Sequence, residues 1–234
     1  MRKPLLTMMI GASLAVGALV GPAAAVGAPM FDWDPAFFWQ PGGTPSNLPL
    51  GGQMNIVGII SLFGPPFEDL NPTLPTTEYT FFAHGLVSNG TSTQGGALQI
   101  YTTTYTGGTI EIYSDNAMNS SFDPNPPNAG VPADFIDGAL FLAGSFNSFT
   151  IQTNNFTANQ TGNAEGVITW TGGPALARLS QGHDPCPGLF TGGITWNPAV
   201  GIPGYLFRHD GKLDNNCPTP GRSSTWGTIK QLYR

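Results

Sequence analysis

Positive charge is the scarcest commodity in this sequence. Between Val26 and Ala177 there is no lysine or arginine, against 11 acidic residues, and only 9% of the 234 residues are charged. A body without cations cannot neutralise phosphates, so nucleic-acid partners are excluded. Six basic and three acidic residues fall in 178–234, so an acidic body carries a basic tail. Reactive constellations are also missing. There is no Gly-x-Ser-x-Gly elbow, no His-Glu-x-x-His and no phosphate loop. His183-Asp184 and His209-Asp210 are bare pairs, and Ser180 near His183 has no third group to orient it. Among Glu68, Asp69, Glu78, Glu111 and Glu165 nothing marks a glycosidase pair. The expectation is a protein without catalysis.

Long apolar runs are absent after the N-terminus, so no membrane span is expected in the mature chain. The one run that exists has a specific setting. Arg2 and Lys3 precede an apolar stretch from Leu5 to Val20, and Ala23-Ala24-Ala25 follows. That order is a secretory signal peptide, with cleavage expected after Ala25 and a secreted or cell-surface product.

Glycine and proline are abundant, at 32 and 22 residues, which means many turns and little helix. Threonine, asparagine, serine and glutamine must supply surface solvation in place of charge. Alternating patterns predict strands over 54–63, 79–87, 97–105, 109–113, 139–143, 148–156 and 166–171. The stretch 79–113 reads as a three-strand meander, broken at 88–96 and by a hairpin turn at Thr106-Gly107-Gly108. With no crossover helix the strands must be antiparallel. The expected fold is therefore all-β, an antiparallel β-sandwich or a jelly-roll-like body. Its expected parts are a signal peptide (1–25), an aromatic, proline-rich lead segment (26–49), the β-sandwich (50–173) and a loop-rich C-terminal extension with a cysteine pair (174–234).

Candidate binding residues are few. Trp33 and Trp39 belong to a run of five aromatics in 31–39, which either tucks under the sheet or stacks on a sugar or a partner. Asp115, Asp123, Asn125 and Asp134, in and beside a polar loop over 114–133, could offer oxygen ligands to calcium, although their spacing is not that of a calcium loop. Asp32 and Asp34 are a weaker pair of the same kind. Cys186 and Cys217 are expected to form a disulfide in an exported protein. A zinc site with His183 and His209 is the less favoured alternative, because the second half of its spacing is too open. The terminal stretch 225–234 carries Trp226, Ile229, Leu232 and Tyr233 at helical spacing, as a docking segment or a tag would. Asn89, Asn119, Asn155 and Asn159 fit the glycosylation acceptor pattern, which matters only in a glycosylating host.

The run Asp137-Gly138-Ala139-Leu140-Phe141-Leu142-Ala143-Gly144-Ser145-Phe146, then Phe149-Thr150-Ile151 and Trp170-Thr171-Gly172-Gly173, resembles the strand grammar of exported bacterial β-sandwich proteins of the exosortase-sorted kind. The chain departs from that group in lacking a C-terminal hydrophobic span with an arginine cluster. The resemblance implies an envelope or extracellular location and a β-sandwich, with no anchor and no catalytic residue carried over. Together these readings predict a structural or interaction protein of the envelope or extracellular space. A glycan or an envelope protein is its expected partner, and a carbohydrate-binding or adhesive module, with or without calcium, is the alternative. A hydrolase with an unrecognised site comes third.

Overall fold

The computed structural model describes residues 29–122, 132–156, 159–180, 184–196 and 202–215. Ten strands are present: β1 (Phe31–Trp39), β2 (Gln53–Ile59), β3 (Leu62–Phe63), β4 (Glu78–Gly95), β5 (Gln99–Thr106), β6 (Thr109–Asp115), β7 (Ala139–Asn154), β8 (Gln160–Gly172), β9 (Gly188–Trp196) and β10 (Phe207–Asn215). Each pairs antiparallel with its neighbour, and β10 returns to pair with β1, Phe31 opposite Leu213 and Phe38 opposite Phe207. The fold is all-β, as expected, but it closes into an eight-stranded antiparallel barrel rather than a sandwich. Closure satisfies the backbone groups that a sandwich leaves at its edges.

Ten strands make eight staves because two staves are interrupted. β5 and β6 both run antiparallel to β4 and to β7, end to end, so they form one stave kinked at Gly107-Gly108. The predicted hairpin turn at Thr106-Gly107-Gly108 is thus a bend within a strand. Gly107 and Gly108 have φ of 69° and 95° there, and Gly85 opposite them has φ 72°, a region open to glycine at little cost. β2 and β3 likewise share the side of β1, with a step at Ile60-Ser61. The predicted break at 88–96 is absent, since β4 runs through it to Gly95. The strands predicted over 139–143 and 148–156 are one strand, β7, with a bulge between Phe146 and Ser148.

The proposed domain boundaries also shift. The lead segment contains β1, and the C-terminal extension contains β9 and β10, so 26–49 and 174–234 both supply staves of the barrel. Asp34-Pro35 falls in a bulge between Trp33 and Ala36, where a proline in a strand is tolerated.

Side chains fill the bore. Phe31, Trp33, Phe38, Ile56, Phe81, Ile112, Phe149, Ile168, Phe190 and Phe207 are all buried. Inward glycines make room for these rings. A Cβ on Gly166 would lie 2.8 Å from Phe149 and 2.9 Å from Phe146, and one on Gly58 would collide with the ring of Phe81. Small beside large is how a narrow barrel packs without voids. One row of the outward face is polar: Ser92, Thr102, Gln152 and Asn163 stand in register across β4, β5, β7 and β8. Among the described residues no helix is long and apolar enough to cross a membrane.

Both ends are closed by chain. At one end, Phe63 and the 3-10 helix Glu68–Thr73 meet α2 (Leu176–Ser180), where Arg178 lies 4.7 Å over the ring of Phe67 and pairs with Asp69. At the other, the loop 40–52 drops Leu48 into the barrel mouth, held by Thr91, Ser88 and Gln40; Gln40 Oε1 accepts from the Tyr105 hydroxyl at 2.9 Å. Phe122 and Phe135, the latter in α1 (Ala133–Ile136), cover an apolar patch on the outer wall formed by Phe37, Trp39, Val57, Ile59 and Phe82. Phe135 is fully buried against it, and its carbonyl accepts from Thr80 Oγ1 at 2.8 Å.

Candidate functional site

With the bore filled, concave surface remains only on the rim and wall. The best-formed cleft, of about 300 Å³, lies where β9 ends and β10 begins. Its floor and sides are Phe37, Trp196, Tyr205, Leu206 and Arg208. The local sequence explains its shape. Ile202-Pro203-Gly204-Tyr205 is a turn in which Tyr205 N–H donates to Ile202 O at 3.2 Å and Gly204 takes φ 97°. Proline then glycine at the two central positions is the type II pattern. The turn is pinned because Leu206 N–H donates to Phe38 O at 2.7 Å. Tyr205 is thereby laid against Phe37, ring centres 5.1 Å apart.

Trp196 and Leu206 also line a second, more open hollow of about 580 Å³, with Thr44, Ser46, Asn155 and Gln160 on its far side. Gln160 is the register partner of Trp196 across β8 and β9. Asn155 Oδ1 accepts from the Gln99 N–H at 2.7 Å, which fixes the amide. The hairpin tips nearby carry Leu98 and Phe156, exposed by 62% and 50%. Among the described residues Arg208 is the one charged side chain lining either hollow, and it is paired with Asp34 at 2.5 Å. The site is therefore aromatic, rich in amides and hydroxyls, and close to neutral.

Two other constellations occur among the described residues. His84 Nε2 lies 3.0 Å from Thr109 Oγ1 and 3.5 Å from Glu111 Oε2, and Glu111 accepts from the Tyr113 hydroxyl at 2.9 Å. Burial, together with that acceptor, pushes the Tyr113 hydroxyl up to about 12. Hydroxyl and carboxylate here share one imidazole nitrogen. A relay needs them on opposite nitrogens, so the cluster does not activate a nucleophile. The third is a shallow depression on the wall at Asp32, Thr191, Asp210 and Lys212, in which Lys212 is paired with Asp214 at 2.8 Å.

The residues singled out by sequence scatter. Trp33 is buried in the bore, with 1% of its surface exposed, and cannot stack on a ligand. Inward parity on β1 puts it there, while Trp39, at outward parity, is half-buried beside the covering loop. Asp115 Oδ1 accepts from Ala117 N–H and Asp134 Oδ2 from Ser121 N–H, so both carboxylates serve the loop's own backbone. Asp123 and Asn125 lie outside the described residues, as do the 1–25 leader, His183, Cys217 and the 225–234 segment. Among the described residues no group of three His, Cys, Asp or Glu side chains could hold a metal ion. Cys186 precedes β9. His209, weighed for zinc, is enclosed in the bore.

Trp196 and Tyr205 were missed because 174–234 reads as loop. One signal was available: Ile194-Thr195-Trp196 repeats the Ile168-Thr169-Trp170 of the preceding strand. Comparison with known proteins returns no match, whether to a family model, a curated protein or a solved structure.

Proposed function

We propose that this chain is an exported, non-catalytic binding barrel of the cell envelope or extracellular space, and that it meets its partner on the rim beside Trp196. The single observation behind this reading is the filled bore. A barrel that held a small ligand would leave its centre open, whereas here Trp33, Phe81, Phe149 and Phe190 occupy it. What remains is a shaped, half-apolar rim cleft with a few fixed polar groups, the usual character of a recognition site. The leader-like N-terminus and the low-charge, Thr/Asn/Gln surface support an extracytoplasmic setting. The Cys186–Cys217 disulfide belongs to the same proposal.

The test is adsorption. Processed protein is mixed with washed envelopes, and separately with polymer recovered from the medium, of the producing cells. Retention by the native protein and its loss in a folded Trp196→Ser variant is the expected result. Equal retention of both, or of neither, overturns the rim site.

A further inference from the structure

We infer that the two hollows are adjoining subsites for an uncharged polysaccharide chain, laid across Trp196. This rests on the binding-barrel reading above and gives it a ligand class. The hollows are not independent, since Trp196 and Leu206 line both. One side offers the half-exposed rings of Trp196 and Tyr205, the latter backed by the buried Phe37. The other offers hydroxyls and amides, Thr44, Ser46, Asn155 and Gln160.

A sugar ring presents the same two characters, a patch of C–H on its faces and hydroxyls at its edge. Flat aromatic side chains cover the first. Amides, which both donate and accept, answer the second. Asn155 is already oriented, because its Oδ1 is held by Gln99 N–H, and this leaves its NH2 to donate elsewhere.

Charge decides the sugar class. Among the described residues Arg208 is the one charged lining residue, and Asp34 neutralises it at 2.5 Å. A polyanion gains nothing here and must also approach a body whose formal charge is acidic. A cationic polymer finds no lining carboxylate among the described residues. The larger hollow opens broadly on the rim, which suits the interior of a chain rather than an engulfed single sugar.

The test is affinity electrophoresis of the processed full chain. The gels contain hydroxyethyl cellulose, glucomannan or dextran, with carboxymethyl cellulose and dextran sulfate as anionic counterparts. Retardation by at least one neutral polymer is expected, weakened about tenfold or more by Trp196→Ala, as for an aromatic anchor. Trp196→Tyr should keep most of it, and Asn155→Ala and Gln160→Ala should each weaken it, Gln160→Ala without lowering the melting temperature. Retardation by the anionic polymers alone overturns the inference, as does retardation that none of these variants changes. If no neutral polymer retards the protein while Trp196-dependent adsorption to envelopes persists, the rim site stands and its ligand is not a neutral glycan.

Discussion

Trp33 Nε1 donates to His209 Nδ1 across 3.1 Å, both side chains buried inside the barrel and 176 residues apart in sequence. The bond joins the first stave to the last. It also fixes the imidazole as neutral with its proton on Nε2, which faces the Gly192 backbone. Phe190 stacks on the ring at 5.1 Å and Phe38 packs at the same distance. Such surroundings disfavour a cation, and burial pushes the His209 pKa down to about 3.

Acid should therefore loosen the barrel well before its carboxylates titrate. His209 is held below its unfolded value, so the unfolded chain binds the proton first. The stabilising contribution is complete above pH 6.5 and falls by up to about 1.4 kcal/mol per pH unit as the pH drops toward 3. Denaturant midpoints at pH 7.5, 5.5 and 4.5 measure this. His209→Phe should flatten the slope between the first two, and an unchanged slope would show that another group governs acid stability.

The small inward positions make a second prediction. Gly58 faces Phe81 with no space for a side chain. Gly58→Val should cost about 1–3 kcal/mol, the range for overpacking a filled core. Gly193→Val, outward on the next-to-last stave with nothing nearby, should cost far less. Equal losses in chemical unfolding would mean that the bore has slack.

These glycines also explain how much of the fold was legible. Alternation revealed strands wherever large side chains marked the parity, as in Tyr79, Phe81 and Ala83. It failed where an inward position is glycine. Gly192 and Gly211 line the cradle of His209, so β9 and β10 read as loop. It failed again where a bulge resets the parity, as Asp34-Pro35 does between Trp33 and Ala36. Gly107-Gly108 carries the sequence of a hairpin, and only its partners on β4 and β7 make it a bend. The pairing of Phe31 with Leu213 that closes the barrel leaves no local trace. The rim site inherits these losses, because Trp196 ends one unread strand and Tyr205 precedes the other.

The bend itself is testable. Gly108 combines φ 95° with a Cβ position 2.6 Å from Leu86 Cδ2. Gly108→Ala should lower stability by about 1–3 kcal/mol through strain and crowding together. Gly96→Ala, at a hairpin tip with open space, should be close to neutral. A neutral Gly108→Ala would mean that the chain at that point holds neither the positive φ nor the close contact with Leu86.

Phe135 tests the outer cover. It is fully buried between the barrel wall and its own loop, 5.3 Å from Phe122, which in turn lies 4.9 Å from Phe37. Phe135→Ala removes the centre of this patch and should cost about 3–5 kcal/mol if the loop holds its place. The loop is tied to the wall through Thr80 and through Glu78, which accepts from Ser120 N–H at 3.2 Å. Lifting it would uncover Val57 and Phe82, so the variant should bind a hydrophobic dye and be cut by protease within 116–138 while the barrel stays intact. Wild-type resistance to both would mean that the loop rests on its polar ties and that the aromatic contact adds little.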